Sequence, residues 1–345
     1  MTFGKIFKVA IVATLLGNLS MWASAPDNYY TSCENKSGSE LLKALYSVVG
    51  THTAISYDAL YDLYKISDVK SNGLIWDIYS TKEWSPTSDR CGSTISYVGH
   101  CFNREHSMPK SWFNNNTPML TDAFHIYPTD GKVNGQRSNY PYGECSGGTT
   151  LSSTIANVQA LGRLGTSTFE GYTGIVFEPD DEFKGDLARG YFYMAAAYNN
   201  DIANWSSDML AGNNYPAFTE WSINLLLKWH RQDPVSEKET TRNEAIYAVQ
   251  KNRNPFIDHP ELVEYIWGDK KSEQWTLTAG TVEKFTLPVS GSTLEIGSTS
   301  VNYRRSKSLI VKGQSLQNDV AVTVTGAGFK ASATTLTAAD VNSNA

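Results

Sequence analysis

One continuous stretch, residues 97–143, concentrates chemically versatile side chains: YVGHCFNREHSMPKSWFNNNTPMLTDAFHIYPTDGKVNGQRSNYPYG. It places a carboxylate beside an imidazole at Glu105 and His106, and an amide followed by a guanidinium at Asn134 and Arg137. Carboxylate and amide oxygens bind hard divalent cations, an imidazole can take a proton from water, and a guanidinium can offset the charge of a phosphate. Any fold that uses these groups together must bring two distant parts of the stretch to one place.

The N-terminus has the pattern of a secretory signal peptide. Two lysines precede an apolar run over residues 9–16, and Ala-Ser-Ala at residues 23–25 offers small side chains for cleavage. The apolar run is too short to span a membrane comfortably, and no other apolar stretch is long enough for a spanning helix. We therefore interpret residues 1–25 as a signal peptide and expect a secreted or periplasmic protein. An uncleaved anchor is the alternative.

The charge balance excludes one class of nucleic-acid-binding protein. The chain has a net charge of −6, and loss of Lys5 and Lys8 with the signal peptide would bring it to about −8. A histone-like protein that binds DNA by charge alone needs the opposite sign. An enzyme needs only a local basic cleft, so the charge balance is compatible with an enzyme that acts on a polyanion.

The four cysteines, Cys33, Cys91, Cys101 and Cys145, lie in the first half of the chain. None forms a CxxC pair with another, so a zinc site made of thiolates is not predicted. In a secreted chain an even number of cysteines favours one or two disulfides, with three alternative full pairings. Four buried, reduced thiols are the alternative. A disulfide that included Cys101 or Cys145 would stabilise the stretch around Glu105.

Residues 26–270 have the pattern of an α+β catalytic domain whose second half is mainly helical. Apolar side chains recur at helical spacing behind capping residues, and residues 73–80 are rich in β-branched and aromatic side chains typical of a strand. The predicted helices are residues 39–49 after a Ser39 cap, a helix capped by Ser56, residues 181–200, residues 219–234, a helix from the Ser236–Glu239 capping box to about Asn252, and a helix framed by Pro260 and Gly268.

The composition changes near residues 269–271, beyond which Thr, Val, Ser and Gly alternate with short apolar runs. We interpret residues 274–345 as a small all-β accessory module of about five short strands without a helix. These strands are too few to close an ordinary sandwich, and the last residues have a turn composition, so the module is interpreted as incomplete. A truncated product and a module completed by a partner are both open, and the sequence does not identify a partner.

The chemistry of Glu105 and His106 depends on their place in a strand. Adjacent side chains of an extended strand point to opposite faces, so the two can share a site only where the strand bends or ends. Residues 124–128 predict a second strand, and Asp130 can cap a short helix that carries Asn134. A strand, a loop, a second strand and a helix would form a compact ββα unit around one metal ion.

Each of these residue types also has a purely structural interpretation. An adjacent Glu-His pair is most often a strand end with a satisfied histidine, and Asn-Gly is most often a turn. His125, within an apolar run, is more often a packed histidine than a ligand. Residue types and spacing alone therefore favour a metal site only weakly.

Longer runs are more specific. In chain order, NREHSMPKSWF, TDAFHIYPTDGKVNGQRSNYPYG, FEPDDEFKGDLARGYFYM and LLKWHRQDPVSEKETTRNEAIYAVQKNRNPFIDHPELVEYIWG resemble the endonuclease I family of secreted and periplasmic nucleases, over about residues 28–268. The resemblance implies a ββα-metal nuclease core surrounded by helices. It also implies cleavage of DNA, and often RNA, with little sequence preference, and a magnesium ion, with calcium or manganese as alternatives.

Carried over position by position, the resemblance implies Glu105 and Asn134 as metal ligands and His106 as the general base. The chain departs from the family pattern at Phe124, where members often carry a His before the one that matches His125. The loop before Asp122 is also short compared with that of some members.

An arginine that assists at the phosphate in family members has no clear counterpart in this chain. We assign that catalytic and substrate-binding role to Arg137 and add Asn139 and Arg253 as candidate substrate-binding residues. Arg253 and its neighbours Asn252 and Asn254 would alternatively cap and brace the end of a helix.

The sequence thus predicts a secreted, metal-dependent, non-specific endonuclease that hydrolyses DNA, with RNA left open as a second substrate. Water activated by His106 and a single divalent metal ion would carry the reaction. The alternative from another class is a non-catalytic secreted binding or adhesion protein on the same fold, which the acidic charge and the missing arginine favour. A metal-dependent phosphodiesterase or phosphatase that acts on small substrates is a third, weaker hypothesis.

Overall fold

The computed structural model describes residues 25–277, 284–287, 308, 310–314, 320–322 and 330–343. Ala25–Leu277 form one compact unit, and the chain from Thr278 onward belongs to a second. The predicted signal peptide falls almost entirely before Ala25, outside the described residues. The predicted boundaries of the catalytic domain and accessory module stay predictions.

The first unit combines helices with small antiparallel sheets, in agreement with the α+β prediction. Its helices are α1 (Gly38–Val49), α2 (Ala59–Ser67), α3 (Gly131–Arg137), α4 (Lys184–Ala197), α5 (Glu220–Gln232), α6 (Glu237–Gln250), α7 (Pro255–Asp258) and α8 (Leu262–Ile266). Its strands are β1 (Phe102–His106), β2 (Ile126–Asp130), β3 (Arg163–Thr166) and β4 (Ile175–Glu178). β1 pairs with β2 and β3 with β4, both antiparallel.

β1, β2 and α3 follow one another in the predicted order of strand, strand and helix, with β2 beginning two residues later than predicted. In the β1–β2 pair, Phe102 lies opposite Asp130 and His106 lies opposite Ile126. β2 runs directly into α3, and Asp130 Oδ1 accepts hydrogen bonds from the backbone N–H groups of Lys132 (2.8 Å) and Val133 (3.1 Å). This cap satisfies two donors that the first turn would otherwise leave unpaired, which stabilises a helix that contains two glycines.

α4 lies at the centre of the unit and packs against α1 and α5. Every residue of α4 is buried, including Asp186 and Arg189. Arg189 donates to both carboxylate oxygens of Glu239 on α6, at 2.5 and 2.7 Å. Charged side chains can be buried here because they are paired and hydrogen-bonded.

The structure contains helices at the predicted places, but several of them begin or end at other residues than predicted. The Ser236–Glu239 capping box is present in full at the start of α6. The N-cap of α1 is Ser37 rather than Ser39. Pro260 precedes the N-cap of α8, so the placement of Pro260 at the first helical position was wrong. The proline that does occupy a first helical position is Pro255, in α7.

The strand predicted over residues 73–80 is not formed. Ile75 makes isolated bridges to Val69 and Trp84, but no regular strand follows. Asp77 explains the difference, because its Oδ1 accepts a hydrogen bond from the backbone N–H of Tyr79 at 2.7 Å. Such a local side-chain bond turns the backbone and competes with extended pairing.

One disulfide, Cys91–Cys101, lies in the described residues, with Cα atoms 4.8 Å apart. Cys33 and Cys145 are buried free thiols. The prediction of one or two disulfides is confirmed with one, and the alternative of four reduced thiols was wrong. The bond ends one residue before β1, so it fixes the start of the strand that carries Glu105.

In the second unit the described elements are β5 (Lys284–Leu287), β6 (Lys312–Gln314), β7 (Val320–Ala321), β8 (Thr335–Leu336) and α9 (Ala338–Ser343). β5 pairs with β6 and β7 with β8. The prediction of a tail without a helix was wrong, because α9 occupies most of the segment that had been assigned a turn composition. In neither unit do the described residues include a helix long and apolar enough to cross a membrane.

Candidate active site

The candidate site lies where α3 packs against the end of β1. Asn103 and Glu105 are two residues apart and therefore on one face of β1, whereas Asn134 and Arg137 are one turn apart on α3. Asn134 contacts Asn103 and Arg137 contacts Glu105. The helix and the strand are thus aligned by two side-chain pairs, and one of these pairs is ionic.

Glu105 is held through one of its two oxygens. Its Oε1 accepts hydrogen bonds from Arg137 Nη1 at 2.6 Å and from the Tyr79 hydroxyl at 2.9 Å. Oε2 has no hydrogen bond within the described part of the chain, although the residue is only 3 % exposed. Burial raises the pKa of Glu105, while Arg137 and Tyr79 act in the opposite direction and favour the carboxylate.

Asn134 is also held through only one of the two polar atoms of its side chain. Its Nδ2 donates to Asn103 Oδ1 at 2.8 Å, and Thr129 Oγ1 lies at the limit of hydrogen bonding, 3.5 Å from the same atom. With the amide nitrogen bound to Asn103, the amide oxygen Oδ1 of Asn134 is left as an acceptor. No described residue donates a hydrogen bond to it.

His106 is the last residue of β1, and its ring is fixed in position. Its Nε2 lies 3.0 Å from the carbonyl oxygen of Leu120, and its ring stacks on Tyr57 with centroids 5.8 Å apart. A carbonyl only accepts, so Nε2 must carry the proton and Nδ1 must carry the lone pair. Burial lowers the pKa of His106 to about 3, with smaller contributions from His125, Lys110 and Arg104, so the imidazole is neutral at neutral pH.

The three side chains therefore share one arrangement. In Glu105, Asn134 and His106, one polar atom is held by the protein, and the other has no hydrogen-bond partner among the described residues. The two atoms left over on Glu105 and Asn134 are oxygens, which suit a hard divalent cation, and the atom left over on His106 is a nitrogen whose lone pair is available to accept a proton. These residues fit a divalent metal ion.

A metal at this place would have few protein ligands. Among the described residues there is no group of three or more His, Cys, Asp or Glu side chains that could hold a metal ion. Glu105 and Asn134 would be a carboxylate and an amide ligand, and a magnesium ion usually retains several waters beside one or two protein ligands.

The structure does not support the assignment of Arg137 to the phosphate. Its side chain is fully buried, with 0 % exposure. Besides Glu105, its Nη atoms donate to the carbonyl oxygens of His106 at 2.9 Å and Ser107 at 2.6 Å. The guanidinium lies behind the carboxylate and braces the end of β1, so it is not available to an incoming phosphate.

Arg253 is also buried and paired. It contacts Glu244 and donates to both oxygens of Asp258 at 2.7 Å. Asn254 caps α7 through the backbone N–H of Phe256. The substrate-binding assignment of Arg253 does not fit this geometry, and the alternative of a braced helix end does. Asn139 is exposed after α3, and its assignment as a substrate-binding residue stays a prediction.

His125 is fully buried, and its Nε2 lies 2.8 Å from the carbonyl oxygen of Met119. Its ring packs against Phe113, with centroids 5.8 Å apart. This geometry agrees with the interpretation of a packed histidine. Phe124, which departs from the family pattern, packs on Tyr193 of α4.

Sequence reasoning missed several residues that shape the site. Asn103 accepts a hydrogen bond from Asn134, Tyr79 donates one to Glu105, and the Tyr57 ring stacks on His106. Lys110 is exposed and close enough to His106 to affect its pKa, and no described carboxylate pairs with it. Asn103 could have been predicted from the sequence, because it lies two residues before Glu105 and therefore on the same face of the strand. Tyr79 could not, because its contact spans 26 residues of chain.

Comparison with known proteins shows the family to which the chain is related. The Endonuclease I family model matches residues 37–261. An extracellular ribonuclease of Bacillus amyloliquefaciens is 36 % identical over 249 residues, which cover 70 % of this chain and 78 % of that protein. An extracellular ribonuclease of Bacillus subtilis is 34 % identical over 250 residues, with the same coverage of 70 % and 78 %. A periplasmic deoxyribonuclease of Aeromonas hydrophila is 26 % identical over 140 residues, 41 % of this chain and 48 % of that protein.

These matches define the class as phosphodiester-hydrolysing nucleases, whose named relatives are extracellular or periplasmic. The chain belongs to the endonuclease I family. The resemblance seen in the sequence is thereby confirmed.

Proposed function

We propose that this protein is a secreted, divalent-metal-dependent endonuclease that hydrolyses phosphodiester bonds of DNA and RNA with little sequence preference. The observation that carries the proposal is the shared arrangement of Glu105, Asn134 and His106. Each presents one atom without a hydrogen-bond partner and is held through the other. This is the preorganisation expected of groups that must meet a metal ion and a water molecule in a fixed geometry.

Glu105 Oε2 and Asn134 Oδ1 are the proposed metal-binding atoms, and Mg²⁺ is the proposed ion. When bound, Mg²⁺ supplies positive charge that stabilises the phosphate and the departing oxygen. Arg137 and Tyr79 orient the carboxylate, and Asn103 orients the amide. Supporting hydrogen bonds of this kind set ligand orientation in metal sites.

His106 is the proposed general base, acting through Nδ1. The Leu120 carbonyl selects the required tautomer, and stacking on Tyr57 fixes the plane of the ring. The imidazole would take one proton from the attacking water as the new oxygen–phosphorus bond forms, and the sugar oxygen would leave as its bond to phosphorus breaks and take a proton from solvent water. Because the neutral form already dominates, no proton has to leave His106 first.

The proposed substrates follow from the relatives. The two Bacillus proteins are named ribonucleases, and the Aeromonas protein is named a deoxyribonuclease. Hydrolysis of the backbone phosphodiester uses a group that both nucleic acids contain. Contacts to base edges are not required, which agrees with low sequence preference.

The proposal is tested by incubating the folded mature protein with plasmid DNA and with single-stranded RNA, in magnesium and in chelator. We expect cleavage of both substrates in magnesium and none in chelator. Absence of cleavage in magnesium by protein with a cooperative melting transition would overturn the proposal.

Asn103 provides a sharper test of the metal site. Asn103→Ala removes the acceptor that orients Asn134, and we expect magnesium affinity to fall by about 10- to 100-fold, the usual effect of losing such a supporting bond. Asn103→Asp keeps the acceptor and should retain affinity. Titration calorimetry with magnesium alone measures binding independently of cleavage. Equal affinities of Asn103→Ala and the wild type would contradict the assignment of Asn134.

Lys110 replaces Arg137 as the proposed phosphate contact, because it is an exposed cation near His106 without a described partner. We expect Lys110→Ala to weaken binding of DNA and RNA alike and to reduce the slope of log affinity against log salt by about 1. Lys43→Ala, at an exposed position on α1, is the matched control. The same slope for Lys110→Ala and the wild type would remove Lys110 from the interface.

A further inference from the structure

The loop closed by the Cys91–Cys101 disulfide displays an aromatic surface that the proposed reaction does not use. Tyr97 is 42 % exposed, one of the most exposed large hydrophobic side chains among the described residues. Its ring stacks on His100, with centroids 4.8 Å apart and planes inclined by 30°. The outer side of this pair is open to solvent.

The loop is fixed in place at several points. The disulfide joins its ends. The backbone N–H of Gly99 donates to Asp130 Oδ2 at 2.5 Å, and Ser153 Oγ donates to the carbonyl oxygen of Val98 at 3.2 Å. Gly99 has a positive φ of 91°, a backbone conformation that residues other than glycine rarely adopt, so the turn favours glycine. A rigid aromatic pair loses little entropy when it binds a flat ligand.

The loop is also joined directly to the candidate active site. Cys101 precedes β1, and Asp130, which accepts the Gly99 hydrogen bond, is the N-cap of α3. Asn134 lies four residues further along α3, a rise of about 6 Å. Lys132 lies between them, and no hydrogen bond or ion pair of its ammonium group occurs within the described residues. An aromatic pair and an available cation therefore lie near the start of the helix that carries Asn134.

We propose that Tyr97, supported by His100, stacks on an unpaired base of the substrate strand next to the scissile phosphate. The inference rests on the proposed nuclease function and adds a binding preference for single strands and unpaired segments of RNA, while duplex DNA is still bound through its phosphates. Base stacking on aromatic side chains does not distinguish sequence, since every base has a π-face. A base within a duplex is already stacked on its neighbours and cannot occupy this surface without leaving them.

The test measures binding in chelator, where the strand stays intact, using a labelled single-stranded oligonucleotide and the corresponding duplex. We expect Tyr97→Ala to raise Kd for the single strand by about 5- to 150-fold, the range that stacking of one base implies. The ratio of duplex to single-strand Kd should fall by a similar factor. Tyr97→Phe should retain affinity, and Tyr97→Leu should behave as Tyr97→Ala, because only an aromatic ring stacks.

Tyr140→Ala is the matched control, since Tyr140 is 37 % exposed and lies beyond the other end of α3. An unchanged single-strand Kd in Tyr97→Ala, or an equal loss in Tyr140→Ala, would overturn the inference. Cleavage by the wild type is measured separately. If the wild type cleaves normally and Tyr97→Ala has no effect on binding, the stacking inference is wrong and the proposed nuclease function is unaffected. If single strands bind through Tyr97 but the wild type does not cleave, the proposed nuclease function is wrong and the stacking surface is supported.

Discussion

Replacing His106 by alanine is expected to lower kcat/KM on plasmid DNA and on RNA by about 100- to 10,000-fold, the usual contribution of one general base. The physical reason is that Nδ1 of His106 is the nitrogen presented at the end of β1, with its lone pair oriented by the Nε2 contact to Leu120. Cleavage rates in saturating magnesium measure the effect.

The loss should appear in turnover and not in metal binding. His106 is neutral in the folded protein, so its removal does not alter the charge at Glu105 or Asn134, and magnesium affinity should stay near that of the wild type. His259→Ala is the control, because the His259 ring packs against Tyr30 and Trp275, and neither of these residues belongs to the proposed site. Equal rates for His106→Ala and the wild type would show that another group takes the proton.

Replacing Arg137 by methionine is expected to destabilise the protein by about 3–5 kcal/mol, because the Glu105 carboxylate would remain buried without its partner. The backbone carbonyls of His106 and Ser107 would also lose their donors. For a unit of this size the loss corresponds to a decrease in Tm of roughly 6–20 °C. Thermal and denaturant unfolding measure it.

This substitution separates the two roles considered for Arg137. A phosphate contact would reduce activity with little change in stability, whereas a positioning residue buried behind Glu105 must reduce stability. Arg231→Met is the matched control, since Arg231 pairs with Glu264 and Asp269 at the surface and its loss should cost at most about 1 kcal/mol. An Arg137→Met protein as stable as the wild type would restore the phosphate role.

A second substitution distinguishes an unpaired charge from a lost packing contact. Combining Arg137→Met with Glu105→Leu removes both charges and should recover part of the lost stability, because a buried ion pair replaced by apolar groups is often neutral or stabilising. The double variant should remain inactive, since Glu105 is a proposed metal ligand. A double variant less stable than Arg137→Met would show that the carboxylate is not the source of the loss.

Local features of the structure were predictable because their causes are local. Asp130 caps α3 through residues two and three positions away, and the Ser236–Glu239 box closes within one turn. The family was also recognisable from its runs of residues. Residues 73–80 show the opposite case, since their side chains favour a strand and yet Asp77 turns the backbone at Tyr79.

Arg137 shows where sequence reasoning fails. An arginine one turn after a candidate ligand suits a phosphate contact and an internal ion pair equally well. The choice depends on which face of α3 packs against β1, and that face places Arg137 against Glu105 at 2.6 Å. Arg253 was misassigned for the same reason, since Asp258 and Glu244 meet it only after α6 and α7 are packed.

The sequence by itself determined that a carboxylate, an imidazole and an amide stand at Glu105, His106 and Asn134, and that a strand end and a capped helix carry them. Only the tertiary structure decided which atom of each side chain is held and which is left without a partner. The physical reason is that the groups that hold them come from other elements: Asn103 and Tyr79 contact Asn134 and Glu105 only when strand, helix and loop pack together. The orientation of the proposed ligands therefore depends on contacts between parts of the chain that are distant in sequence.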